Sequence, residues 1–382
     1  MTRLGLETFA RLARNEPGVN LCLSPAGLAQ TLALGLGATR GSDRAALSRA
    51  LGVETGDVEA AHAAMAAWRR SLLEPDPSVD LTLACSLWSH IDFDLEPAVV
   101  PTLRRWYDAQ ASRLNFLEPS AIQTINEWVR DATGGALPEV VQSLDPRARL
   151  LLISALHVRG RWKQAFHPDL TRDLTFYASG DTRFPHPMMA ASGDYLRFQD
   201  GGVEGIALPY GEGRRRMLIV LPSRESSLQD LAPLLGQDRW SRWLRRLRKD
   251  RGTIILPRFQ MGSSTDLTSV LRELGLSIAL DPDGAAGSLL QRTRVEVDEQ
   301  GTRAAAATLM VQVVAWPPPK WQPFHMQVDR PFLFAIEDTY SGDMLFLGAV
   351  YDPRGVGGIR ESIQGFVPPP GTPPDIARLS SL

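Results

Sequence analysis

Glu299-Gln300-Gly301-Thr302-Arg303-Ala304-Ala305-Ala306-Ala307-Thr308, with Ala315-Trp316-Pro317-Pro318-Pro319 a few residues on, is a ribbon that fits neither a core helix nor a core strand. Four consecutive alanines favour a helix by intrinsic propensity. Gly301 before them, the β-branched Val311, Val313 and Val314 after them and three closing prolines oppose a helix, so the segment is suited to more than one state. At a period of two, Thr302, Ala304, Ala306, Thr308, Met310, Gln312 and Val314 share one face, and the first four of these are small. A strand that enters a finished sheet meets a packed floor, where each oversized side chain costs about 1–3 kcal/mol. Small residues remove that obstacle, and Arg303, on the opposite face, is free to point to water.

Working outward, Val295-Glu296-Val297-Asp298 alternates as a strand leading into the ribbon. Near the start, Asn20-Leu21-Cys22-Leu23-Ser24-Pro25 reads as a short buried strand ending at a helix start. The apolar run 28–36 then predicts a helix buried on all sides, with Gly35, Gly37 and Gly41 permitting close backbone approach. Residues 79–86 alternate as a strand, and residues 95–111, with Trp106 and Tyr107, predict a helix. Ile125-Asn126-Glu127-Trp128-Val129 opens another helix, closed by Thr133-Gly134-Gly135. Residues 150–158 form a continuous apolar strand, followed by Arg159-Gly160-Arg161-Trp162 and Phe166. Leu208-Pro209-Tyr210, the run Met217-Leu218-Ile219-Val220-Leu221-Pro222, Ile254-Ile255-Leu256-Pro257-Arg258-Phe259, Pro331-Phe332-Leu333-Phe334 and Leu345-Phe346-Leu347-Gly348 complete the series.

Taken in this order, over residues 4–353, these segments resemble the serpins, protease inhibitors whose reactive loop inserts into the protein's own central sheet. The resemblance implies an α+β serpin fold. Three β-sheets, of which the large central one is sheet A, would be surrounded by eight to nine helices, with an exposed reactive-centre loop. It implies a serpin domain over residues 1–353. Residues 354–382, rich in Pro and Gly, are read as a flexible tail beyond it. The ten residues Glu299 through Thr308 then correspond to the hinge, with Gln300 and Arg303 standing where the family commonly has Glu. Trp162 corresponds to the residue at the top of the sheet where the loop enters. Ser24, Ser154 and Gln291 correspond to the polar cluster beneath the opening sheet, where Gly27, Ser154 and Gln291 replace a second Ser, an Asn and a His. Between 276 and 289 the chain is about ten residues shorter than the family pattern.

The implied function is that of a suicide substrate. A serine protease cleaves the loop, and residues 302–314 insert as a new strand before the acyl-enzyme hydrolyses. Counting along the hinge places the reactive bond at Ala315-Trp316, and a small residue there points to an elastase-like target. Bonds on the amino side of Pro317, Pro318 and Pro319 are disfavoured, because the imino ring restricts the preceding residue and lacks the amide proton. The alternatives are a non-inhibitory member of the family, acting as carrier, storage protein or chaperone, and a glycan-binding one.

Composition bounds the rest. With 382 residues, 44% hydrophobic content and a formal charge of −2, the chain can bury a large core and has no overall bias toward polyanions or polycations. No nucleic-acid or membrane partner is expected, nor any cofactor or metal, and the protein is expected to be a monomer. There is no run of 18 apolar residues and no signal peptide in the chain as given, while the family is largely extracellular, so the compartment is left open. Cys22 and Cys85 are too few for a disulfide framework and are read as buried thiols. Six scattered histidines show no ligand spacing, and no nucleophile elbow or phosphate-binding loop is present, which argues against an enzyme. One further feature is a basic run, Arg242, Arg245, Arg246, Arg248 and Lys249, interleaved with Trp240, Trp243 and Leu247. At helical spacing it reads as a solvated face, or as a patch for a polyanion such as a sulfated glycan.

Overall fold

The computed structural model describes residues 1–36, 39, 41–53, 57–93, 95, 97–137, 139–145, 148–178, 180, 182–276, 287–302 and 323–355. In chain order its helices are α1 (Thr2–Asn15), α2 (Pro25–Leu36), α3 (Gly41–Leu51), α4 (Val58–Leu72), α5 (Val99–Tyr107), α6 (Pro119–Ala132), α7 (Leu228–Leu231), α8 (Gln237–Arg246) and α9 (Thr268–Glu273). Its strands are β1 (Leu21–Leu23), β2 (Val79–His90), β3 (Gln110–Leu114), β4 (Leu150–Arg161), β5 (Arg172–Tyr177), β6 (Arg183–Gln199), β7 (Val203–Pro209) and β8 (Arg215–Pro222). They continue with β9 (Arg248–Pro257), β10 (Phe259–Asp266), β11 (Gly287–Val297), β12 (Gly301–Thr302), β13 (Phe324–Gln327), β14 (Phe332–Asp338) and β15 (Met344–Val350).

The central sheet runs β10-β11-β4-β2-β3, with β12 added against β4. The remaining strands follow the path β1-β15-β14-β8-β7-β6-β9-β13, with β5 on β6. Here the expected second and third sheets are joined, because β6 is 17 residues long and serves both. Its first part pairs β5 and β9, and its last four residues pair β7.

The alternation read in the sequence is sharpest in β11, where Leu289, Gln291, Thr293, Val295 and Val297 are buried and the residues between them are only partly so. Its neighbour β4 is buried at nine consecutive positions, as expected of a strand covered on both faces. One face is covered by the second sheet, through Leu156, Val158, Phe259, Met261, Val295, Ile206, Ile219, Phe334 and Phe346. The other face carries α6, whose Ile125 and Val129 pack on Leu151, Ile153 and Ala155, and whose Trp128 meets Trp88 edge to face at 6.0 Å. A third cluster under α1, α2, α4 and α5 includes Leu28, Leu32, Met65, Leu103, Leu150 and Leu152. Burying each such side chain is worth about 1.5–3 kcal/mol.

Three local expectations are corrected. The helix expected over 95–111 occupies only Val99–Tyr107, because Asp108 turns left-handed (φ 51°) and the chain enters β3 at Gln110. Ile125 and Trp128 lie within α6 rather than at its start, which is Pro119, a favourable first-turn residue. Leu247 ends α8 rather than belonging to it, so the basic run is split: Arg242, Arg245 and Arg246 are helical, whereas Arg248 and Lys249 begin β9. Both cysteines are free and buried, and burial pushes each thiol up to about 12, so neither is a nucleophile near neutral pH. No helix among the described residues is long and apolar enough to cross a membrane.

Candidate functional site at the head of the central sheet

The seam between β4 and β11 is the centre of the site. The two strands pair in parallel from Gly287 opposite Leu150 to Arg294 opposite His157, and the pairing stops there although both strands continue. Into the fork steps β12: Gly301 lies antiparallel to Arg161, and Thr302 to Gly160. The reversal is made by a tight hairpin. Asp298 N donates to Gly301 O at 2.9 Å, and the Asp298 carboxylate accepts from the backbone of Gln300 (2.9 Å) and Gly301 (3.1 Å). Burial raises the pKa of Asp298, and these two amides work against that rise.

Only glycine fits at 301. Its φ is +146°, and a Cβ there would lie 1.9 Å from Gly160 O. Gly160 is constrained in turn by the ring of Tyr210, which a Cβ would meet at 2.7 Å. Tyr210 stacks on Trp162 with centroids 4.5 Å apart and planes 11° from parallel, and its hydroxyl is 2.9 Å from that of Thr302. Trp162 reads the hairpin twice, donating from its backbone to Gln300 O and from its indole to Asp298 O, both at 3.0 Å.

Glu299, at the turn of this hairpin, is clamped. Glu299, 5% exposed, receives Arg258 at 2.6 Å, the Thr171 hydroxyl at 2.5 Å and, on its carbonyl, the amide of Phe166 at 2.9 Å. Burial pushes its pKa upward, but the hydrogen bonds from Arg258 and Thr171 outweigh burial and hold the carboxyl below its usual range.

Midway down the seam lies the polar cluster. Gln291 accepts from Ser24 N (2.6 Å) and donates to Ser24 O (3.0 Å), while the Ser24 hydroxyl donates to Leu345 O (2.6 Å) and accepts from Gly27 N (3.0 Å). Gln291 therefore ties β11 to the start of α2 through the Ser24 backbone. Ser154, directly across the seam from Gln291, is fully buried, and among the described residues its hydroxyl has no hydrogen-bond partner. A Cβ on Gly27 would lie 2.4 Å from that hydroxyl and 2.2 Å from Leu156 Cδ1, so glycine keeps α2 close to the sheet.

The structure thus brings Glu299, Gln300, Gly301, Thr302 and Trp162 together and places Ser24, Ser154 and Gln291 lower in the same seam. Arg303, Ala304, Ala305, Ala306, Ala307, Thr308, Ala315 and Trp316 lie outside the described residues, as do the shortened stretch 277–286 and the tail from 356. Sequence reasoning assigned no role to Arg258, Thr171 or Tyr210. A usable signal was Glu299 itself, since a carboxylate between a strand and its hinge requires a cation when buried.

The basic residues lie elsewhere, where α8 and β9 meet. Trp240 and Trp243 are buried, as the helical spacing predicts. Arg242 (3.5 Å) and Arg246 (2.6 Å) share Asp200, and Lys249 (3.3 Å) and Arg251 (3.8 Å) share Asp194. Arg248 donates to the carbonyls of Arg245 (2.8 Å) and Leu247 (2.7 Å) at the end of the helix.

A family model described as serpin (serine protease inhibitor) matches residues 1–353. Leukocyte elastase inhibitor of Homo sapiens is 28% identical over 379 residues, covering 92% of this chain and 98% of that protein. Among solved structures, the thermophilic serpin tengpin in its native state superposes with a TM-score of 0.82 at 22% identity, over 92% of each chain. Human thyroxine-binding globulin complexed with thyroxine also gives 0.82, at 20% identity, over 92% of this chain and 97% of that one. The two structural likenesses establish the shared fold, and the family match extends it to sequence: this chain belongs to the serpin family of serine protease inhibitors.

Proposed function

We propose that this serpin is an inhibitor of serine proteases that acts as a suicide substrate, with Ala315-Trp316 as its reactive bond and an elastase-like enzyme as its target. The observation that carries the reading is the hairpin at Asp298 and Gly301, which turns the chain from parallel to antiparallel at the head of a parallel seam. An antiparallel strand between β4 and β11 is the geometry that insertion requires, and Gly301–Thr302 already runs antiparallel to β4.

In the proposed sequence the protease serine Oγ attacks the carbonyl carbon of Ala315. The bond to the Trp316 nitrogen breaks, and the serine proton passes through the enzyme's base to the leaving amine, giving an acyl ester on Ala315. Residues 302–314 then continue the path begun by Gly301–Thr302. Eight parallel register pairs between β4 and β11 give way to two antiparallel ladders. Thirteen residues at a rise of about 3.3 Å span about 43 Å. The tethered protease is carried that far, and the displacement of its catalytic groups stops hydrolysis of the ester. Small side chains at 304 and 306 let the new strand enter between β4 and β11 without overpacking the layer beneath the sheet.

The test is incubation with a panel of serine proteases of different primary specificity. The expected result is an SDS-stable complex with an enzyme that cleaves after small residues, its acyl end at Ala315 by mass spectrometry. The cleaved protein should melt far above the intact one. A cleaved form that melts with the intact form would instead place this chain with non-inhibitory members of the family.

A further inference from the structure

We propose that the basic surface formed by the end of α8 and the start of β9 is a docking site for the target protease, and that the enzyme it selects carries negative charge beside its active-site cleft. The inference rests on the inhibitory reading above and adds to it a second contact outside the reactive loop.

Position and charge carry the argument. On the far side of the loop the chain returns to the body as β13, paired in parallel with β9 so that Phe324 stands opposite Gly252. The fit is close: a Cβ on Gly252 would lie 2.2 Å from Phe324 O, and the Arg197 guanidinium sits 4.8 Å from the centre of the Phe324 ring. The residue before Gly252 in β9 is Arg251, paired with Asp194, and Lys249 lies two positions before that. The anchor of the loop's C-terminal side therefore adjoins these cations directly, and the nine residues from Ala315 to Phe324 hold an enzyme bound at Ala315 within about 30 Å of them.

The charge there is in excess. Arg242 and Arg246 divide one carboxylate, Asp200, and Lys249 and Arg251 divide another, Asp194. With Arg245 and Arg248 beside them, and with Arg197 between Asp250 and Glu204, seven cations face four carboxylates, which leaves about three positive charges unmatched. The side chains of Lys249 and Arg251 are 74% and 69% exposed, so their field reaches solvent rather than being spent inside the fold. Such a patch beside a binding loop raises the association rate of an oppositely charged partner and repels a like-charged one. Small-residue specificity at Ala315 then chooses the pocket, and the patch chooses among enzymes that share it.

The experiment uses the full chain and K249E/R251E. Second-order association rates are measured from 50 to 300 mM NaCl against two elastase-type enzymes whose active-site rims differ in charge. Binding of the same enzymes with the catalytic serine replaced by alanine is measured separately, so that docking is scored without trapping. For the acidic-rimmed enzyme the variant should associate about tenfold more slowly at low salt and lose most of the salt dependence. The basic-rimmed enzyme should gain, with the melting temperature unchanged. Equal rates and equal salt slopes for variant and wild type would overturn the proposal. So would a variant that loses binding to heparin while its protease association is unmoved, which would give the patch to a polyanion. If the inert enzymes dock as described but no covalent complex forms with active ones, the docking surface stands and the trapping reading fails.

Discussion

Removing Arg258 tests the clamp on the hinge. The wild-type side chain makes its closest approach to Glu299 at 2.6 Å and is 47% exposed, while the Glu299 side chain is 6% exposed. A fully exposed pair contributes at most about 1 kcal/mol, whereas breaking a fully buried one costs about 3–5 kcal/mol. Arg258→Ala in this half-covered geometry should cost about 2 kcal/mol, because Glu299 keeps Thr171 and the loss is discounted for solvent on the arginine side. For a domain of this size that is about 2–3 °C in the melting temperature of the intact form, compared at one scan rate. The pH dependence separates this cause from a general packing defect. Glu299 is held below its usual range, so its contribution is present above the unfolded-chain value of about 4.3 and is lost as pH falls through the lower folded value. The gap between wild type and variant should therefore be full at pH 7 and smaller at an acid pH low enough to protonate the carboxyl in both. An equal gap at the two pH values, or none at pH 7, would refute the assignment of Glu299 and Arg258 as the clamp.

Two further substitutions address the seam. Thr302→Arg places a guanidinium where the wild-type side chain is fully buried and bonded to Tyr210, at a cost of several kcal/mol. Gel analysis should show cleaved protein in place of the covalent complex, and undiminished complex would exclude the proposed insertion path. Ser154→Ala removes a buried hydroxyl without a described partner, so it should raise the melting temperature of the intact form, by about 1–2 kcal/mol in stability, and slow insertion. A lowered melting temperature would mean that this hydroxyl is satisfied in solution.

Much of the architecture was legible because the determining signals are local. The alternation of Val295-Glu296-Val297-Asp298 needs only a period of two, which the structure extends back to Leu289, and the continuous burial of β4 needs only an unbroken apolar run. Residues 95–111 misled because Trp106 and Tyr107 extend a helical pattern up to the left-handed Asp108, and the five-residue β3 is too short to announce its own period. The clamp was illegible for a different reason. Arg258 and Glu299 are 41 residues apart, and Tyr210 and Thr302 are 92 apart, so each pair exists only after the sheets have assembled. The stretch Ile254-Ile255-Leu256-Pro257-Arg258-Phe259 shows an arginine at a strand edge but not the carboxylate it faces.

On the proposed mechanism, the distribution of satisfied and unsatisfied groups along the seam sets where the sheet resists opening and where it does not. At its head the buried carboxylate and the hairpin carbonyls are engaged: Glu299 by Arg258, Thr171 and Phe166, and the carbonyls of Asp298 and Gln300 by Trp162. Lower down, Gln291 is bound to the Ser24 backbone rather than across the seam to Ser154, whose hydroxyl has no described partner. Parting β4 from β11 at that level breaks no side-chain hydrogen bond between Ser154 and Gln291 and exposes a hydroxyl that gains from a new partner. The resistance is therefore concentrated at the top and the deficit lies in the middle, so a strand that has passed Thr302 meets less opposition from side chains with each step. On this reasoning Arg258→Ala and Ser154→Ala should move the insertion rate in opposite directions, and because the two sites share no described partner, their effects on its activation free energy should add in the double variant.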